Sequence, residues 1–192
     1  MKRLLLILLL ISGLRVSAGE YVIDGAHSHV MFKIKHMTIS SVTGRFEKFK
    51  GSFTFDPNHV DKSSGSVTVD VNSVNTDVVD RDNHLKSPEF FDAAKYPEMT
   101  FKSTKVIVKD KTHFQLAGNL TLHGVTRPIT LDVEYGGTAV DPWGNTRVAF
   151  SATGTLNRKD YGLTWNKLLE TGGLLVGDEV TINIEVEAIL QK

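Results

Sequence analysis

The sequence predicts an all-β protein: about eight antiparallel strands closed into a barrel, with one short helix in a connector. Three observations carry this reading. Apolar and polar residues alternate with period two through most of the chain, as in strands with one face buried and one in water. Turn-forming residues interrupt the alternation at short intervals. One long strand changes phase midway, as a sheet does where a bulge bends it towards closure. Two stacked sheets are the other way to bury so many one-sided strands. Closed barrels of eight strands leave an interior for packed side chains or for one small ligand.

The first element is a leader. Lys2 and Arg3 precede a nearly unbroken apolar run from Leu4 to Ile11, and Val16-Ser17-Ala18 fits the positions read by a signal peptidase. Residues 1–18 are expected to be a cleavable signal peptide, too short to span a bilayer comfortably. Residues 19–192 then form one exported domain.

Strands follow in order. Val30, Phe32 and Ile34 alternate with Met31, Lys33 and Lys35. Between Val42 and Phe55 the phase slips: Val42, Gly44 and Phe46 share one register, and Phe49, Gly51, Phe53 and Phe55 the other. Val67, Val69 and Val71 form the next apolar face. From Asp77 to Pro97 the alternation stops, charges crowd together, and Pro88 and Pro97 interrupt, which suggests a short helix over Val79 to Lys86 and then an irregular connector. Phe114, Leu116, Gly118, Leu120 and Leu122 resume the alternation, followed by Ile129 to Tyr135 and by Val148, Phe150, Ala152 and Leu156. The last strand is the clearest, with Val180, Ile182, Ile184, Val186 and Ala188 on one face. Turns are marked at Asp56-Pro57-Asn58, Lys62 to Gly65, His123-Gly124, Asp141 to Asn145 and Asp160-Tyr161-Gly162.

Composition narrows the function classes. Cysteine is absent, which excludes a disulfide scaffold, a thiol enzyme, a thiolate metal site and an acylated N-terminal cysteine. The 22 basic residues balance the 22 acidic ones. The leader removes Lys2, Arg3 and Arg15, leaving 19 basic against 22 acidic, a net −3. That is a poor footprint for nucleic acid, which requires a basic patch.

Several collinear stretches resemble the YceI-like family of bacterial lipid- and polyisoprenoid-binding proteins. They are Asp24-Gly25-Ala26-His27-Ser28-His29-Val30 running to His36, Gly44-Arg45-Phe46 through Gly51, and Arg81-Asp82-Asn83-His84-Leu85-Lys86-Ser87 with Phe90-Phe91-Asp92. Tyr96-Pro97 with Thr100-Phe101-Lys102-Ser103, Leu120 to Pro128, Asn157 to Leu163, and Gly177-Asp178-Glu179-Val180 complete the set. The resemblance covers essentially the whole exported chain. It implies an extended lipocalin-like barrel, periplasmic, with an apolar tunnel for a polyisoprenoid, an isoprenoid quinone or a fatty amide. An amphiphilic lipid is thus the expected partner, and the reading accommodates transient membrane contact and a homodimer.

The expected tunnel walls are Phe32, Ile34, Phe53, Phe101, Phe114 and Leu116, whose period-two placement turns them inward. The alternative is a solid core, in which the same residues pack against one another. Arg81, Asp82 and His84 form the most polar cluster of the least regular region. They read either as a rim that orients a ligand's head, Arg81 supplying a forked donor, or as a network that caps the helix and pins the connector. Arg158 and Asp160 carry the same two readings. No metal or cofactor is expected. His27 and His29 lie two apart and His36, His84 and His123 are dispersed, without the spacing of a ligand set. No nucleophile elbow or triad order is present. The competing classes are a lipid enzyme using His84 and Asp82 at the barrel mouth, and an envelope interaction protein with a solid barrel.

Overall fold

The computed structural model describes residues 18–170 and 172–191, so the expected signal peptide, Ala18 excepted, lies outside the described residues. Eleven strand segments occur among them: β1 (Gly19–Ile23), β2 (His29–His36), β3 (Ser40–Phe46), β4 (Phe49–Phe55), β5 (Ser64–Asp70), β6 (Val74–Asn75), β7 (Glu98–Val108), β8 (His113–Leu122), β9 (Val125–Val140), β10 (Thr146–Asn157) and β11 (Val176–Leu190). One α-helix, α1, spans Val79–Lys86, the range expected from the break in alternation.

The sheet closes on itself in the order β1-β4-β5-β7-β8-β9-β10-β11 and back to β1, every pairing antiparallel. This is an eight-stranded barrel. The extra segments continue strands of the ring. β11 pairs with β1 through Ala188 to Leu190, and along its first ten residues with β2. β3 pairs with β2, and β6 with the end of β3. Three neighbouring ring strands are therefore each broken into two: β1 and β2, β4 and β3, β5 and β6.

The breaks in the second and third of these strands lie side by side and satisfy one another. Glu47 N–H donates to Ser73 O, Asp70 N–H to Lys48 O, and Lys48 N–H to Ser73 Oγ. The two residues Glu47 and Lys48 are the physical origin of the phase slip. They separate Phe46 from Phe49 by an odd step, so that both rings face the interior in spite of the period of two. Further register shifts occur between β7 and β8 near Ser103, between β9 and β10 near Ala149, and between β11 and β2 before Val180.

Aromatic rings seal one end. Tyr21 is fully buried, stacked on Phe53 at 5.7 Å, with Phe55 edge-on at 6.5 Å. Phe55, Tyr135, Phe150 and Phe114 continue the cluster through tilted and edge-to-face contacts of 4.9–6.2 Å, the geometries that ring quadrupoles favour. At the other end lie the β2–β3 hairpin, α1 and the segment from Gly162 to Leu175. The turns behave as their residues require. His123 and Gly124 both have positive φ, which a two-residue hairpin needs. Asp141 Oδ1 accepts from the N–H groups of Trp143 and Asn145.

A charged clamp holds the corner between β1 and β2. Arg147 donates from Nη1 to Asp24 Oδ2 at 2.7 Å and to Glu187 Oε1 at 2.5 Å, and from Nε to Asp141 Oδ2 at 2.8 Å. The bond from Arg147 and, after it, one from His27 hold the Asp24 carboxyl at about 2, below its ordinary 3.8. At Asp141 burial pushes upward, but the bonds from Arg147 and Asn145 win and hold the carboxyl below its usual range. A depressed carboxylate stabilises the fold above its ordinary pKa and loses that contribution as pH falls through its folded value. Thermal stability should therefore descend between pH 3.8 and about 2. Arg147→Gln should lower the neutral-pH melting temperature by roughly 5 °C and flatten that acid descent, measured by circular dichroism melts across the pH series.

Candidate ligand-binding site

Closure leaves a space inside the ring. The interior holds a cavity of about 440 Å³, within the range of roughly 300–1,000 Å³ typical of small-molecule sites. Its lining follows β11 from Val176 to Val186, roughly 33 Å of extended strand. The wall is built almost entirely from aliphatic and aromatic side chains of all eight ring positions. Phe32, Ile34, Phe53, Phe101, Phe114 and Leu116 all line it.

Glycines set how the largest of these rings lie. A Cβ on Gly44 would come within 2.4 Å of the Phe32 ring, and one on Gly118 within 2.3 Å of the Phe101 ring. Each phenyl ring therefore reaches onto a neighbouring strand at a position where that strand has no side chain. At the β4–β5 side, the Ser63 hydroxyl oxygen lines the cavity and is buried without a protein partner.

Charge collects at the end opposite the aromatic seal, where α1 crosses between β6 and the connector. Arg81 donates from Nε to Thr76 Oγ1 and from Nη2 to Thr76 O, both at 2.7 Å. Asp82 Oδ1 accepts from the same Thr76, from its N–H at 2.8 Å and its hydroxyl at 2.5 Å. The pair fastens the helix to the strand end before it. It does not cap the helix: the N-cap position is Val78, which makes no side-chain cap bond. His84 bonds Glu89 through Nε2 at 2.6 Å and stands edge-on to Phe90 and Trp165, each at 4.9 Å.

Arg158 lines the same end and is 3% exposed. Its guanidinium donates to the carbonyls of Gly177, Leu163 and Trp165, and reaches Asp178 at 3.5 Å. Burial pushes its pKa down and the Asp178 charge opposes this. Arg158 is thus a buried post on which the chain after β10 turns. The Asp160 side chain is exposed, and only its backbone carbonyl takes part, accepting from Arg127 Nε at 3.4 Å.

The candidate histidines do not converge. His27 bonds Asp24, His84 bonds Glu89, His123 meets Tyr161 O and the Tyr96 ring, and His36 lies on the cavity wall. Among the described residues one group has metal-ligand spacing, Asp24 with His27 and Glu187. The Arg147 guanidinium bonds both of its carboxylates and takes the place of a cation there. His84 and Asp82, the pair considered for catalysis, bond to Glu89 and Thr76 and not to each other.

Sequence reasoning did not single out Trp165 or Phe90, which close over His84, nor Leu85 and Leu163 on the wall. They stand in the helix and connectors, where no period marks a face. The quoted Phe90-Phe91 pair was the available signal.

The fold now has counterparts. A family model described as the YceI-like domain matches residues 21–188. The chain belongs to the YceI-like family. Its relatives include the protein YceI of Salmonella newport, 41% identical over 177 residues that cover 91% of this chain and 89% of that one. The crystal structure of the Campylobacter jejuni YceI protein superimposes with a TM-score of 0.71 at 37% identity, covering 83% of this chain and 91% of that one. A polyisoprenoid-binding domain from Saccharophagus degradans shares the fold at a TM-score of 0.64 and 18% identity, over 89% and 98% of the two chains.

The glycines under the Phe32 and Phe101 rings leave no room for a side chain. Gly118→Val should drive the Phe101 ring from its place and cost about 1–3 kcal/mol through overpacking, read as a lower urea midpoint at unchanged slope.

Proposed function

We propose that this YceI-family protein holds a long apolar amphiphile inside its barrel and carries or sequesters it in the bacterial periplasm. The observation behind the reading is the cavity itself: an apolar space running along the barrel, aromatic at one end and charged at the other. A molecule with a long hydrocarbon tail and a polar head has that same distribution. The S. degradans domain is described as binding polyisoprenoids, and its likeness in fold supports the same class of cargo here. Export rests on the leader, with Lys2, Arg3, the apolar run and Val16-Ser17-Ala18.

Energetics favour a carrying or sequestering role over trapping from the bilayer. Burying a chain of ~20 carbons gains roughly 16 kcal/mol against water, but almost nothing against a bilayer, which is equally apolar. Such a site shields a tail from water while leaving it free to return to a membrane, and the choice of cargo falls to wall shape and head contacts.

The test begins with organic extraction of protein purified from the periplasm, with released lipid identified by mass spectrometry. A long-chain amphiphile in near-stoichiometric amount is expected. Leu116→Trp and Ile34→Trp should abolish that cargo with little change in melting temperature, because the indole fills open space. Lipid-free parent protein, with both variants destabilised by about 1–3 kcal/mol as in a solid core, would defeat the reading. Intact mass of the periplasmic protein should correspond to a chain starting at Gly19; a retained leader would defeat the export assignment.

A further inference from the structure

The cavity's ionisable residues are all of one sign. Lys35, His36, Arg81, His84 and Arg158 line it, and among the described residues no aspartate or glutamate does. All five belong to the end formed by the β2–β3 hairpin, α1 and the segment after β10. The neighbouring acids stand behind these bases: Asp82 on Thr76, Glu89 on His84, and Asp178 on Arg158 and Lys159.

The five bases differ in what they have left to offer. Arg158 spends its donors on three backbone carbonyls. His84 is engaged by Glu89, the Lys35 side chain belongs to an exposed residue, and the half-buried His36 offers a single imidazole rather than a fork. Arg81 is different. It is half-buried, it makes no ion pair within 4 Å among the described residues, and its Nη1 has no protein acceptor.

Its orientation is set in advance. Asp82 accepts a hydrogen bond from the Thr76 hydroxyl, which turns a Thr76 lone pair towards Arg81 Nε, and the Thr76 carbonyl holds Nη2. The remaining fork is held still beside an apolar space. A guanidinium so placed matches the two oxygens of a carboxylate or phosphate, and charge-assisted bonds of this kind are about twice as strong as neutral ones.

We propose that the cargo is an anionic amphiphile whose carboxylate or phosphate head is held by Arg81 at the charged end of the cavity, with its tail directed towards the aromatic seal. This rests on the carrier reading above and adds the chemistry of the head. A neutral alcohol or amide head accepts weaker hydrogen bonds and leaves the positive charge without a counterion.

A competition experiment separates the alternatives. Delipidated full-length exported protein is equilibrated with an equimolar mixture of oleic acid, oleyl phosphate and oleyl alcohol at mildly alkaline pH. It is recovered by gel filtration and its bound lipid is quantified. The acid and the phosphate should each be enriched about tenfold or more over the alcohol. Arg81→Gln should bring the three close to parity, and Arg81→Lys, which keeps the charge, should retain an enrichment above that of Arg81→Gln. Lys109→Gln, in the exposed turn after β7 and outside the cavity wall, should leave the parent's preference as it is.

Excess inorganic phosphate should not displace oleyl phosphate, since the tail supplies most of the binding; displacement would assign the site to the free ion and overturn the lipid-head proposal. Equal uptake of all three lipids by the parent, or undiminished enrichment in a folded Arg81→Gln, would overturn the anionic head and leave the carrier reading standing. No uptake of any lipid would defeat the carrier reading itself.

Discussion

β1 is five residues long, yet both of its edges are engaged, one by β4 and the other by the last residues of β11. That double pairing turns a row of strands into a ring with no free edge at this point, and every other feature depends on it. An open sheet with one apolar face would need a second layer to cover that face. A closed one covers it with itself, and whatever its side chains do not fill becomes an internal space. The Arg147 clamp acts on the same seam, since it ties the β1–β2 corner to β10, β11 and the β9–β10 turn.

The interior is divided along its length by simple packing rules. Rings from β1, β4, β8, β9 and β10 interlock at one end because Tyr21, Phe55, Phe114, Tyr135 and Phe150 fall at one level of the barrel. Phe32 and Phe101 reach over glycines of neighbouring strands, and the interior keeps a cavity of about 440 Å³. At the other end the β5–β6 strand ends early at Asn75, and the chain crosses as a helix with polar residues. The wall is thus apolar where strands alternate regularly and charged where they stop. An amphiphile's two chemistries correspond to these two kinds of backbone.

Much of this was legible in the residues. Alternation located β2, β3, β4, β5, β8, β9, β10 and β11 and their inward faces, because a half-buried strand has a strict period of two, but it marked neither β1 nor β7. The loss of alternation after Asp77 located α1 to the residue, and the phase slip between Phe46 and Phe49 located the break between β3 and β4. The six residues expected on the tunnel wall do line the cavity. Less legible was the role of the polar cluster. The capping expected of Arg81 and Asp82 is absent, and both instead grip Thr76, a contact that depends on how β6 runs into the helix.

By itself, then, the sequence determined most of the secondary structure and the side of most strands that meets the interior. These are local properties, written in the spacing of neighbouring residues. Only the tertiary structure decided whether the inward rings meet in a solid core or stand apart around a space, because Gly44 and Phe32, or Gly118 and Phe101, sit on different strands and meet only through register. It also decided that Trp165 and Phe90 join His84, that Arg158 is consumed by carbonyls, and that Arg81 keeps a free fork beside the cavity. Contacts between residues far apart in the chain have no period, so no pattern along the chain announces them.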